Sequence, residues 1–292
     1  MYLIKPQMLN KGDTIEIIAP AGPVNREKIL IAKNLIEELG YRVKFGKYLF
    51  DEERYLSSSD NKRLHDLEKA FLSDDTKAIL CARGGYGSIR LIDKIDYNII
   101  KNNPKIFCGY SDITALSLMM LKNSNLMTFS GAMAEPDFAA ENINKETINS
   151  LLETINGNYS TYKAAKVIKQ GNACGITWGG NLSTVVSLCG LDFIPDEKFI
   201  FFTEDINEPV YKIDKMLRQL INIKEFRNNV SAICFGEFLG VDNREWLFKL
   251  QEEIIEELNI PGASGFNFTH SSYKQTVPIG AEAKFDGALH II

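Results

Sequence analysis

Histidine is scarce in this chain, with three in 292 residues. With so few, and no clustered cysteines, a structural zinc site is not expected. The five cysteines (Cys81, Cys108, Cys174, Cys189 and Cys234) are odd in number, widely spaced and form no CxxC pair. They suggest no disulfide framework. A free thiol in an apolar run behaves as a small hydrophobe, and a reducing compartment is the expectation. Basic charge is not in excess: 33 Lys and Arg stand against 38 Asp and Glu, a net charge of −5. A nucleic-acid partner would call for a basic face, so none is expected. No run approaches the ~18 apolar residues of a membrane helix. The start, MYLIKPQMLNKGDTIEIIAP, lacks the basic opening, apolar stretch and small-residue cleavage site of a secretory signal. A cytoplasmic location is therefore expected. There is no internal repeat and no low-complexity segment.

What remains is an ordinary globular composition, 45% hydrophobic and 24% charged. Domains usually hold roughly 100–200 residues, so one large domain or two smaller ones fit. A chain of this length buries enough apolar surface to fold without staples.

The first half alternates strand and helix signals. Thr14–Ala19 reads as a strand and ends in the breaker cluster PAGP. Arg26–Leu39 has apolar residues at helical spacing, with Gly40 as its C-terminal cap. Tyr41–Phe45 reads as a strand, and Asp60–Leu72 as a helix with Asp60 at its N-cap. Lys77–Ala82 and Lys105–Cys108 read as strands, and Ile113–Leu121 as a helix. Such alternation predicts a parallel sheet covered on both faces, with ligands outside the carboxyl ends of its strands. A helix and a polar connection between Glu141 and Ala165 mark a boundary near residue 160. In the second half Ala173–Trp178, Lys198–Thr203 and Val230–Phe235 read as strands, and Pro209–Ile221 and Asn243–Leu258 as helices. The tail holds short strand signals broken by glycine and proline. The expected class is α/β, with an N-terminal Rossmann-like parallel sheet domain (1–160) and a second, smaller mixed α/β domain rich in short strands (161–292).

Two loops at strand ends are chemically unusual. In IFCGYSDITAL (106–116) a strand runs through Gly109 into Tyr110-Ser111-Asp112 and then a helix. A serine on such a turn projects into a cleft, and the amides at the helix start can stabilise an oxyanion. The pattern shares the logic of a nucleophile elbow but lacks GxSxG, because Ile113 occupies the last glycine position. A plain helix cap by Ser111 or Asp112 is the competing local reading. RGGYG (83–87) follows the neighbouring strand. It reads as a phosphate cradle without Walker spacing, as a tight turn, or as a backbone donor beside the serine.

A nucleophilic serine needs a base, and the base an orienting carboxylate. His65 lies in a polar helix, and His290 is two residues from the C-terminus, where chains fray. His270, between two strand-like segments, is the candidate by elimination; a loop histidine without function is the other reading. Glu204 and Asp205 directly follow an apolar strand and precede a helix. They suit either an orienting role or simple interaction with the helix dipole.

These pieces resemble the LD-carboxypeptidases, serine peptidases that trim murein peptides. The resemblance spans nearly the whole chain. It rests on IIAPAGP near the start, ARGGYGSIRLID, GYSDITAL, WGGNLS, FTEDINEPVYKIDKML and the histidine-to-VPIGA segment, in this order. It implies a Ser-Glu-His triad of Ser111, Glu204 and His270, and an oxyanion hole from the amides of Asp112 and Gly85. It implies no metal and no cofactor. The serine would come from the N-terminal domain and the other two residues from the C-terminal one. One departure is Thr269, where glycine often precedes the histidine. The implied reaction is hydrolysis, through an acyl-enzyme, of the amide between an L-configured diamino acid and terminal D-alanine in a murein tetrapeptide. The implied setting is cytoplasmic cell-wall recycling, and the implied assembly a homodimer. Arg83 is a candidate for the substrate carboxylate, with a surface ion pair as its other reading. Asn181 either lines the cleft or caps the helix that follows it. Two alternatives stand beside this reading. One is a peptidase resembling the microcin C immunity branch, which cleaves an aminoacyl-nucleotide amide. The other is a non-catalytic muropeptide-binding protein.

Overall fold

A computed structural model of the chain describes residues 2–292. The first half runs β1 (Thr14–Ile18), α1 (Arg26–Glu38), β2 (Arg42–Phe45), α2 (Asp60–Leu72), β3 (Thr76–Cys81), α3 (Tyr97–Asn102), β4 (Ile106–Cys108), α4 (Thr114–Ser124), β5 (Thr128–Ser130) and α5 (Lys145–Ile155). The second half runs β6 (Tyr162–Lys163), β7 (Lys166–Lys169), β8 (Ala173–Asn181), α6 (Leu182–Ser187), β9 (Phe199–Ile206), α7 (Val210–Ile221), α8 (Lys224–Asn229), β10 (Val230–Leu239), α9 (Arg244–Leu258), β11 (Gly262–Ser264), β12 (Val277–Ile279), β13 (Glu282–Phe285) and β14 (Ala288–Ile291).

The strands form two sheets. The first has the order β12-β5-β4-β3-β1-β2, parallel except at the antiparallel β12–β5 edge. Both faces are covered, as its isoleucine-rich strands require. Ile15 and Ile17 of β1 pack on one side with Ile29 and Ile36 of α1. Ile18, Ile79 and Phe107 pack on the other with Leu67 and Phe71 of α2. The second sheet, β6-β14-β13-β8-β9-β10-β11-β7, is mixed: β8 to β11 are parallel, and antiparallel strands flank them. It carries eight strands against six in the first sheet, and its centre is the long β8, β9 and β10. The short strands expected from the sequence lie at its edges.

The halves are joined in three ways. Residues 277–279, late in the chain, supply the sixth strand of the first sheet. One hydrophobic cluster holds Leu116 and Leu118 of α4 together with Trp178, Phe199 and Phe201. Gly180 lies so close to α4 that a β-carbon there would sit 2.7 Å from the Thr114 side chain. Thr114 Oγ1 accepts the Asn181 N–H at 3.2 Å. These contacts fix the ends of β4 and β8 against one another, and the candidate site lies there.

Two local expectations are corrected. Ser59, not Asp60, occupies the N-cap of α2, and its side chain makes no capping bond. Asp60 instead binds Arg63, Arg90 and Lys94, and those cations hold its carboxyl well below the ordinary 3.8. His290 belongs to β14 and contacts Asp286 and Thr161, so that end of the chain is paired. Among the described residues no helix is long and apolar enough to cross a membrane.

Candidate active site

The turn that carries Ser111 follows β4. Ser111 has φ 63°, the left-handed region that a side chain enters only at a cost of about 1–3 kcal/mol. A single 3-10 turn over 111–113 then leads into α4. The capping reading is not realised. Residue 113 stands at the N-cap of α4 without a side-chain bond, and the Asp112 carboxylate accepts the Ser88 N–H at 2.9 Å. Burial raises the Asp112 carboxyl above its ordinary 3.8, and the Ser88 bond opposes the shift. The Asp112 backbone N–H is in the first turn, where no intrahelical acceptor exists.

The glycine loop after β3 lies directly against this turn. A β-carbon at Gly84 would sit 2.9 Å from Ser111 Cβ and 3.1 Å from its Oγ, so no larger residue fits. The Gly84 carbonyl accepts the Gly22 N–H at 3.3 Å. In a trans peptide the carbonyl and the following N–H point in opposite directions. The Gly85 N–H is therefore directed away from Gly22, and Gly85 lines the same cavity as Ser111.

The other candidate residues come from the second sheet and the loop before β12. Glu204 lies near the carboxyl end of β9 and is buried. His270 Nδ1 donates to Glu204 Oε2 at 2.6 Å, which leaves Nε2 as the basic nitrogen. Tyr110 stands edge-on to the imidazole, with ring centres 5.0 Å apart. Burial drives the Tyr110 phenol far above its ordinary value, with Asp137 and Glu204 adding to the shift, so it stays neutral. Thr269 does not take a positive φ. Its hydroxyl donates to Glu237 at 2.7 Å and accepts the Ser271 N–H at 2.9 Å, which holds the backbone around His270.

Ser111, His270, Gly84, Gly85 and Arg83 line one cavity of ≈ 390 Å³. Among the described residues no hydrogen bond joins Ser111 Oγ to His270. Arg83 is partly exposed, with its guanidinium 3.8 Å from Glu135. Asn181 is 4% exposed and does not line this cavity. Its Oδ1 caps α6 by accepting the Thr184 N–H, and its Nδ2 donates to Glu204 at 3.3 Å and Asp205 at 3.0 Å. Asp205 accepts the N–H groups of Ser183 and Ile206, and burial raises its carboxyl.

Three residues at the site carry no local sequence signal. Glu135 lies in a single π-type turn over 134–138, a geometry frequent at functional sites, and lines the cavity. Asp137, on the same turn, forms a buried ion pair with Lys274. The Lys274 ammonium lies 4.7 Å from the centre of the Tyr110 ring. This pair ties the His270 loop to the first half of the chain. Among the described residues no cluster of His, Cys, Asp and Glu could hold a metal ion.

The same arrangement of halves is found in known proteins. Residues 15–131 match the LD-carboxypeptidase N-terminal domain, and residues 174–285 match the LD-carboxypeptidase C-terminal domain. A probable murein peptide carboxypeptidase of Bacillus subtilis (strain 168) is 37% identical over 97% of this chain and 92% of its own length. The crystal structure of an MccF-like protein from Bacillus anthracis superposes with a TM-score of 0.90 at 29% identity, covering 98% of both chains. That of a muramoyltetrapeptide carboxypeptidase from Oxalobacter formigenes superposes with a TM-score of 0.84 at 27% identity, covering 94% of this chain and 97% of that one.

Proposed function

As the chain belongs to the LD-carboxypeptidase family of serine-type peptidases, we propose that it hydrolyses the amide between an L-configured diamino acid and the terminal D-alanine of a murein tetrapeptide. The observation that carries the catalytic part is the shared cavity. Ser111, on a strained turn, and His270, held by Glu204, face it from opposite halves of the chain. The substrate part is supported by the murein peptide carboxypeptidase relative.

In this reading substrate closes the gap between Ser111 and His270, since catalytic hydrogen bonds often tighten only in the complex. His270 Nε2 takes the Ser111 proton as Oγ attacks the carbonyl. Glu204 holds the imidazole and stabilises its charged form. The amides of Asp112 and Gly85 bind the oxyanion, each contributing roughly 3 kcal/mol to the transition state. His270 then passes the proton to the leaving amine of D-alanine, and water releases the acyl group. Arg83 reads the terminal carboxylate. Asn181 is a positioning residue behind Glu204 rather than a substrate contact, because its polar atoms are engaged within the protein. Intracellular recycling and a homodimer belong to the same reading.

The MccF-like neighbour and the resemblance to the microcin C immunity branch favour a second reading, in which the cavity takes an aminoacyl-nucleotide. Incubation with a murein tetrapeptide and, separately, with an aminoacyl sulfamoyl-adenosine distinguishes them. Release of D-alanine from the first, with the second intact, is expected. Cleavage of the second alone would replace the substrate assignment.

A further inference from the structure

Among the described residues Glu135 is the one carboxylate in the cavity wall beside Ser111, and it takes no part in the proposed acyl transfer. Its side chain is only 11% exposed. The Asn25 N–H donates to Oε2 at 2.9 Å, and the Glu135 N–H donates to the Ala82 carbonyl at 2.8 Å. The residue is thus anchored from both its backbone and its carboxylate. Its other oxygen, Oε1, faces Arg83 across 3.8 Å, beyond hydrogen-bond reach. The Arg83 guanidinium bends instead toward the Pro23 carbonyl at 3.4 Å. Lys28 is the further cation on the wall. The cavity therefore offers a guanidinium and an anchored carboxylate 3.8 Å apart, with Lys28 elsewhere on the wall. A substrate with a carboxylate alone gains nothing from Glu135. A substrate that carries both a carboxylate and an ammonium can place the first on Arg83 and the second on the free Glu135 oxygen.

We propose that Glu135 is a specificity-determining residue that binds the distal ammonium of the diamino acid whose carbonyl Ser111 attacks. This rests on the carboxypeptidase reading above and adds the residue that selects the side chain. It accounts for the position of an acidic group next to an arginine that reads a carboxylate. Charge-assisted hydrogen bonds of this kind are about twice as strong as neutral ones.

The test uses tetrapeptides with lysine or diaminopimelate before the terminal D-alanine. Each is paired with the analogue lacking the distal amine, norleucine or 2-aminopimelate. Rates of D-alanine release are compared for wild type and Glu135→Gln. Glutamine keeps the volume and an acceptor for the Asn25 N–H, so the variant changes mainly the charge. Wild type should favour the amine-bearing peptide by about 10-fold or more in kcat/KM. Glu135→Gln should lower its kcat/KM to the level of the analogue and leave the analogue itself within about twofold. Equal use of paired peptides by wild type, or an equal loss on both in the variant, overturns the role of Glu135 while the carboxypeptidase reading stands. Failure of wild type to release D-alanine from any of the four overturns both.

Discussion

The two sides of the site are built from different materials. The side of the proposed nucleophile is made by the backbone: a serine at φ 63°, a glycine packed against it, and a second glycine in the same cavity wall. The side of the proposed base is made by side chains: His270 on Glu204, Asn181 linking Glu204 to Asp205, and Asn181 seated on the first turn of α6. Backbone geometry of this kind tolerates almost no change, because steric space decides it. A hydrogen-bonded network can lose a member and retain part of its function. The difference predicts that on the serine side a single methyl group is damaging, whereas on the histidine side the loss falls off with distance from the imidazole.

The largest effect on the base side is expected at its centre. His270→Ala should lower kcat about 10,000-fold or more with little change in KM, and should cost about 1–3 kcal/mol of stability in a protein that still folds, because the buried Glu204 loses its imidazole partner. A parallel rise in KM, or loss of folding, would place His270 in binding or structure instead.

On the nucleophile side Gly84→Ala should be nearly as damaging. The added methyl would have to displace Ser111, and a fall in kcat/KM of about 100-fold or more is expected from misplacing the reacting atom. Circular dichroism and melting should show a folded protein. Activity near wild type would mean that the turn adapts, and the contrast between the two sides would fail.

Asn181→Ala should have an intermediate effect. Loss of the α6 cap costs about 1 kcal/mol of stability. The unanchored Glu204 should cost roughly 10-fold in kcat at unchanged KM. If only stability fell, Asn181 would be a cap and nothing more.

The smallest effect separates two buried carboxyls, Asp112 on the nucleophile side and Asp205 on the base side. Burial raises both above 3.8. Each folded-state value therefore exceeds the unfolded one, and each carboxyl contributes most to stability at low pH. That contribution is lost as pH rises from about 3.8 through the raised value. Melting of wild type against Asp112→Asn, followed from pH 3 to 7, should show the wild-type advantage shrinking as pH rises. An advantage that grows with pH would reverse the assignment.

Much of the scaffold was legible because it is periodic. The helix over Asp60–Leu72 and the helix ending at Ile221 follow the 3.6-residue spacing of their apolar positions. The isoleucine run of β1 is equally plain. β5, with three residues, carried too little pattern to be seen, and the pairing of residues 277–279 with it spans half the chain. The motifs and the shortage of histidine singled out Ser111, Glu204 and His270, and the structure puts His270 on Glu204 and in one cavity wall with Ser111. Glu135 and the Asp137–Lys274 pair were not legible. Their partners lie 110 and 137 residues away, and no local spacing encodes such contacts. Asn181 was legible as a cap, but its second role depends on β9 lying in register beside β8, where Asn181 stands opposite Glu204.

The central claim is that Ser111 attacks the bond before a terminal D-amino acid. Release of D-alanine from a murein tetrapeptide, measured side by side for wild type and Ser111→Ala, tests it most directly. The account predicts steady release by wild type and a loss of at least about 1,000-fold in the folded variant. Release by Ser111→Ala at the wild-type rate would contradict it.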